Sequence, residues 1–230
     1  MLRPNLLIIA GFIVVVAVRI VVADDEVLFE DNFDKGLSPK WSVVGLKKQD
    51  YRIKDGGLEM RVRPGTRNEE VPMLRVTLPF NTFERVEASV EMTPLDPFTE
   101  PGEAAGLCLL DEDRTEFHAE KTNANGYFVF SPPELVFIGK PGTEEEGNRR
   151  DYAVKFWPAN ADFGALRIIT GGHQGYFQVG PTQEGKYLTL FERALNRDSD
   201  RRGFALSAYG GPTDKEHWVR FDNFRVSRIK

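Results

Sequence analysis

The chain is bracketed by two segments of matching character. Near its start stands Val27-Leu28-Phe29-Glu30-Asp31-Asn32-Phe33-Asp34, followed by Trp41 and by the stretch from Tyr51 to Met60. Near its end stands Trp218-Val219-Arg220-Phe221-Asp222-Asn223-Phe224-Arg225-Val226. Between them lie short runs of alternating apolar and polar residues and no helical pattern. Leu58, Met60 and Val62 alternate with Glu59, Arg61 and Arg63, and Val86, Ala88, Val90 and Met92 alternate with Arg85, Glu87, Ser89 and Glu91. This is the period of a half-buried strand. Further strands are expected at Met73–Leu78, Phe117–Lys121, Tyr127–Phe130, Leu135–Ile138, Tyr152–Trp157, Leu166–Thr170, Tyr176–Val179, Tyr187–Glu192 and Phe204–Tyr209. Turn chemistry separates them at Asp55-Gly56-Gly57, Asn125-Gly126, Thr170-Gly171-Gly172 and Gly210-Gly211-Pro212. The pattern predicts an all-β sandwich whose first and last strands lie side by side.

The first residues point to export. Arg3 supplies a positive start, Leu6 to Val18 is apolar apart from Gly11, and Val21-Val22-Ala23 offers a cleavage site before Asp24. A membrane-spanning helix needs about 20 apolar residues, and Leu6 to Ala23 reaches 18 only by including Arg19. The expectation is a signal peptide over 1–23 and one β-sandwich domain over 24–230, secreted or periplasmic, or membrane-anchored if the segment is not cleaved. Cleavage removes Arg3 and Arg19 and no acid, so the charge moves from −5 to −7. That balance disfavours nucleic acid and anionic membrane as partners, because both demand clustered positive charge. The single cysteine, Cys108, excludes an intrachain disulfide and sits in the apolar run Ala105–Leu110, the setting of a small core residue.

These strands resemble the concanavalin A-like lectin/glucanase superfamily, a two-sheet antiparallel jelly-roll sandwich that includes laminin-G-like modules. Within it the chain is similar to the sandwich domain at the C-terminus of some family-43 glycosidases. The likeness rests on Phe29–Asp34, Trp41, Tyr51–Leu58, Ala105–Leu110 with Phe117–Lys121, Ala165–Ile169 and Val219–Val226. Glucanases of the superfamily carry Glu-x-Asp-x-x-Glu on one strand. The nearest stretch here, Asp111 to Glu116, has Asp where the nucleophile belongs and falls at an expected hairpin tip. Jelly-roll alginate lyases are echoed by Arg114-Thr115-Glu116-Phe117-His118 and Tyr176-Phe177-Gln178-Val179-Gly180, but no Gln-Ile-His occurs, so their acid–base pair is incomplete.

What remains is binding chemistry. Glu116, His118 and Glu120 alternate with Phe117 and Ala119, which predicts three polar groups on one strand face. Trp157 and Tyr209 each end a strand at a loop and are candidate rings for stacking on a sugar, while Trp41 and Trp218 read as packing. The resemblance implies a structural Ca²⁺ between the first and last strands, with Asp222 and Asp31 or Glu30 as its ligands. Independently, Val219 and Phe221 are out of phase with Phe224 and Val226, so a strand through them needs a bulge at Asp222-Asn223. The reading is a non-catalytic module that binds a glycan, polysaccharide or other ligand by shape, ring stacking and hydrogen bonds on the concave sheet. The alternatives are a jelly-roll glycoside hydrolase or lyase, and a structural cell-envelope domain without a small ligand.

Overall fold

The structure, a computed structural model, describes residues 25–64, 72–100, 103–111, 114–122, 126–130, 151–156, 164–195 and 202–230. Among the described residues fifteen strands run in chain order: β1 Glu26–Asp31, β2 Ser42–Val44, β3 Tyr51–Lys54, β4 Gly57–Arg61, β5 Met73–Leu78, β6 Val86–Pro94, β7 Ala104–Asp111 and β8 Arg114–Thr122. They continue as β9 Gly126–Phe130, β10 Asp151–Phe156, β11 Ala165–Gly171, β12 Gln174–Gly180, β13 Leu188–Ala194, β14 Arg202–Tyr209 and β15 Trp218–Arg228. The expected strand at Leu135–Ile138 lies outside the described residues. Among the described residues no helix is long and apolar enough to cross a membrane.

Two antiparallel sheets pack face to face. One has eight strands in the order β13-β12-β11-β6-β15-β4-β3, with β1 also on β15; the other has seven, in the order β10-β9-β8-β7-β14-β5-β2. The bookends do meet. Asp31 stands opposite Phe224 and Glu26 opposite Arg228, while the first half of β15 runs against β4, with Trp218 opposite Arg61 and Phe221 opposite Leu58. The other edge of β15 is covered by β6.

The expected bulge is present. Against β6, Asp222 faces Glu91 and Arg225 faces Ser89, so three steps on β15 match two on its partner. Asn223 takes up the extra step with φ 51°, a left-handed conformation that asparagine adopts more readily than most residues. Val219, Phe221, Phe224 and Val226 can therefore all enter the core, and each is fully buried. A one-residue change of register swaps the two faces of a strand. The inserted residue restores the apolar face after the phase break.

At the β1 end a single carboxylate organises the chain. Asp31 accepts hydrogen bonds from Phe33 N at 2.9 Å, Ser38 N at 3.0 Å and the buried indole Nε1 of Trp41 at 2.8 Å. The indole meets Phe29 edge-on at 5.3 Å and Phe224 at 4.9 Å between ring centres. Phe33, fully buried, holds φ at 60°, which is unfavourable for a bulky side chain. Its amide is held there by Asp31.

Removing that carboxylate leaves a buried indole N–H and two backbone N–H groups without acceptors. Asp31→Ala is expected to lower the unfolding free energy by about 3 kcal/mol, read from urea denaturation, with Asp31→Asn falling between it and wild type. A loss below about 1 kcal/mol would show that the Phe33 conformation is held by packing alone.

Candidate functional site

The residues singled out from sequence are dispersed. Trp157 lies outside the described residues. Tyr209, expected to present its ring at a loop, is instead 3 % exposed at the end of β14, opposite Ala104. Its ring is therefore packed and offers no platform. On β8, His118 stands opposite Cys108 and Phe130, and Glu120 stands opposite Gly106 and Phe128. The alternation breaks at Glu116, because Phe117 pairs with Leu109 while Thr115 pairs with the adjacent Leu110.

The neighbouring strands of this sheet are closed on both sides. Every residue of β14 is buried, as is β7 from Ala104 to Leu110. Leu107, Leu109, Phe204 and Leu206 belong to the main core, whereas Cys108, Leu110, Ala205 and Met73 form a second apolar cluster. Cys108 is buried there with its Sγ 3.4 Å from Ser207 Oγ. The middle of the seven-stranded sheet thus presents no open floor at β7 and β14.

The expected calcium ligands do not fit calcium. Asp31 is committed to three N–H donors. Asp222 accepts from its neighbour Asn223 N at 2.9 Å and pairs with Arg220 at 3.3 Å. Glu30 is exposed and opposite Arg225, on the alternate side of β1 from buried Asp31. Calcium takes six to eight oxygen ligands, and a carboxylate already gripped by N–H donors is a poor contributor. Among the described residues no group of three or more His, Cys, Asp or Glu side chains is placed to hold a metal.

A different site emerges on the outer face of the eight-stranded sheet, where two turns meet. The first joins β5 to β6. Asn81 Oδ1 accepts from Phe83 N at 2.9 Å and Glu84 N at 3.2 Å, and Glu84 returns a bond through Oε1 to Asn81 N at 3.1 Å. The second is the β11–β12 hairpin, closed by Gly172 and His173 with φ of 58° and 64°. Two successive left-handed residues match the twist of a two-residue hairpin. The turns are tied by His173 N to Thr82 O at 3.3 Å and Gly172 N to Phe83 O at 3.4 Å.

Phe83 stands on this junction 61 % exposed, more than any other large hydrophobic side chain among the described residues. Its ring centre lies 4.2 Å from that of His173, with the two rings tilted edge to face. Beside it opens a hollow of about 570 Å³ lined by Phe83, Arg85, Tyr176, Gln178 and Thr189 over the glycines of the hairpin.

The bordering polar groups form a chain across four strands. Glu87 on β6 pairs with Arg167 on β11 at 3.4 Å; Arg167 Nε donates to Gln178 Oε1 on β12 at 2.7 Å; Gln178 Nε2 donates to Thr189 Oγ1 on β13 at 2.8 Å. Arg167 also lies 3.6 Å over the ring of Tyr187. Burial pushes the Tyr187 hydroxyl up to about 12. Burial likewise raises Glu87 above its ordinary 4.5, outweighing the attraction of Arg167, with Asp25 raising it further and Arg225 and Arg85 opposing. The sequence carries a trace of the first turn, since Asn81-Thr82-Phe83-Glu84 has capping-box spacing around an aromatic outside the strand alternation. Arg167, Gln178 and Thr189 carry no comparable mark, because only the strand register brings them together.

No protein-family model matches the chain, and no curated protein matches it by sequence. Solved structures do match. A functionally unknown protein from Saccharomyces cerevisiae superposes with a TM-score of 0.60 at 13% identity, covering 83% of this chain and 97% of that one. The GH43 protein BlXynB from Bacillus licheniformis gives 0.62 at 13% identity, over 87% of this chain and 39% of that one. The exoplasmic/lumenal domain of VIP36, bound to Ca²⁺ and Man3GlcNAc, gives 0.52 at 10% identity, over 85% and 86%. At such identities the likeness speaks for the fold. The chain has the fold of a two-sheet antiparallel jelly-roll sandwich.

Because its raised pKa reflects a buried charge, ionised Glu87 weighs against the folded state. Folding binds its proton more tightly, so this stability is present below pH 4.5 and is lost as pH rises through the higher folded value. Glu87→Gln is therefore expected to melt at or above the wild-type temperature at pH 7, with the gap closing as both are acidified. A lower melting temperature at pH 7 would mean that the bond to Arg167 outweighs burial.

Proposed function

We propose that this chain is an exported, non-catalytic glycan-binding module, and that the hollow beside Phe83 is where the glycan docks. One observation carries the reading: a largely exposed aromatic ring is presented by two interlocked turns, next to oriented amide and hydroxyl groups. Ring faces stack on the C–H faces of pyranoses, while the hydroxyls of a sugar need directional donors and acceptors. A ring presented in place reduces the ordering cost that weakens flexible sites. The neighbours support a carbohydrate context, since VIP36 is described with Man3GlcNAc bound and another match belongs to work on endo-acting O-glycanases of the human gut microbiota.

Glu116, His118 and Glu120 on β8 stay within the proposal as a secondary contact on the other sheet. Calcium has no part in the hollow, whose lining contains no carboxylate among the described residues. On a glycan array, binding should survive EDTA. Phe83→Ala should weaken it about tenfold or more, the scale of about 1.4 kcal/mol, with the melting temperature retained. Shortened products in the bound fraction would instead support the glycoside hydrolase or lyase alternative. A module that binds nothing on the array would favour a structural envelope role.

Export has its own test. Expressed from its first methionine in a secreting host, the protein should be recovered outside the cytoplasm with Asp24 as its first residue, read by intact mass. Recovery in the membrane fraction with residues 1–23 attached would make the segment an anchor.

A further inference from the structure

We infer that the hollow selects saccharides bearing an anionic group, a carboxylate or a sulfate ester, through Arg85. This rests on the glycan reading above and adds the class of sugar. Arg85 is exposed and is the one charged residue lining the hollow among those described. Most other arginines on this sheet are held in ion pairs, and Arg225, which is in none among the described residues, does not line the hollow. Arg52 is paired with Glu59, Arg167 with Glu87, Arg220 with Asp222, and Arg228 with both Glu26 and Glu84. Among the described residues no ion pair or side-chain hydrogen bond engages the Arg85 guanidinium.

Its stem is nevertheless placed. A Cβ at Gly171 would stand 3.3 Å from Cα of Arg85 and 3.4 Å from its Cβ and Cγ, so the glycine lets the hairpin lie against the stem. The Arg85 carbonyl accepts from Ile229 N at 2.9 Å, which ties the residue to the end of the chain. Phe83 and Arg85 are two residues apart at the mouth of β6 and both are exposed. A sugar stacked on Phe83 would carry its substituents toward the guanidinium.

The remaining polar groups have the matching sense. Gln178 Oε1 is already taken by Arg167, and Thr189 Oγ1 already accepts from Gln178. The second N–H of Gln178 and the hydroxyl proton of Thr189 are left over as donors, beside one remaining lone pair on each oxygen. A guanidinium held in no ion pair, with free N–H and O–H donors across the hollow, suits a carboxylate or sulfate, whose oxygens only accept. The molecule as a whole carries −5. Anion preference would then be local to this hollow rather than the product of a general basic surface.

The test is an array of matched pairs: galacturonate oligosaccharides and their methyl esters, and sulfated galactan oligosaccharides and their desulfated forms, with Kd values measured for those bound. The acidic member of at least one pair should bind about tenfold more tightly, and which pair responds tells carboxylate from sulfate. Arg85→Gln should bring the acidic member to the affinity of its neutral counterpart, and Arg85→Lys should restore part of the preference. Equal affinity for acidic and neutral members, or binding confined to neutral glycans, overturns the role of Arg85 while leaving glycan binding intact. The same holds if Arg85→Gln keeps the wild-type preference. No binding to any saccharide overturns this inference together with the function it rests on.

Discussion

The structure depends on how β15 is paired. Its eleven residues run along β6 on one side and, on the other, along β4 and then β1. One strand thus joins the two ends of the described chain to the middle of the larger sheet. The arrangement works only because Asn223 inserts a step: without it, either Val219 and Phe221 or Phe224 and Val226 would face solvent. The step is secured outside the core, by Asn223 Nδ2 donating to Glu91 Oε2 at 3.0 Å and by Gln183 donating to the Asn223 carbonyl. A local irregularity therefore maintains a continuous apolar face.

The two sheets use their outer faces differently. On the seven-stranded sheet β7 and β14 are small-residue strands buried on both sides, with Gly106, Cys108, Ala205 and Ser207 among them. On the eight-stranded sheet the outer side is a field of paired charges. Glu59, almost fully buried, takes Arg52 at 2.6 Å, and Arg52 in turn lies 4.0 Å over the ring of Trp218. Arg220 reaches across to the carbonyls of Lys54 and Asp55 at 2.9 and 2.7 Å, lying so close over Gly57 that a Cβ there would come within 2.4 Å of its Cζ. These pairs satisfy one another. At the hollow by Phe83 an exposed ring stands beside a guanidinium, that of Arg85, held in no ion pair among the described residues.

Architecture was legible in the sequence because it is written in phase. Strand alternation marked β4, β5 and β6, the glycine pairs marked the turns, and the phase break around Asp222 anticipated the bulge. The meeting of the two ends could be read from matching composition alone. The site was much less legible. Tyr209 looked exposed because a glycine pair follows it, yet exposure is decided by what packs over a strand end, and Tyr209 is covered. Asp31 looked like a metal ligand because pairing of the two ends brings it near Asp222, the position at which similar folds place a calcium ligand. Here the donors of its own loop reach it first. The chain Glu87–Arg167–Gln178–Thr189 spans residues 87 to 189, and no local pattern connects them.

The pairing of β15 also bears on the hollow. Past the bulge, Arg228 donates through Nε to Glu84 Oε2 at 2.6 Å and engages Glu26 on β1 with the same guanidinium. Those bonds, with that to Glu26 the larger, raise the Arg228 pKa further, so its guanidinium stays charged. Glu84 in turn closes the Asn81 turn that presents Phe83, and Ile229 N holds the carbonyl of Arg85. The first strand, the last strand and the aromatic turn therefore share one set of hydrogen bonds. An exposed ring on an isolated turn would have little reason to keep its place. Here the turn that carries the ring, 61 % open to solvent, is tied into the closure of the sandwich.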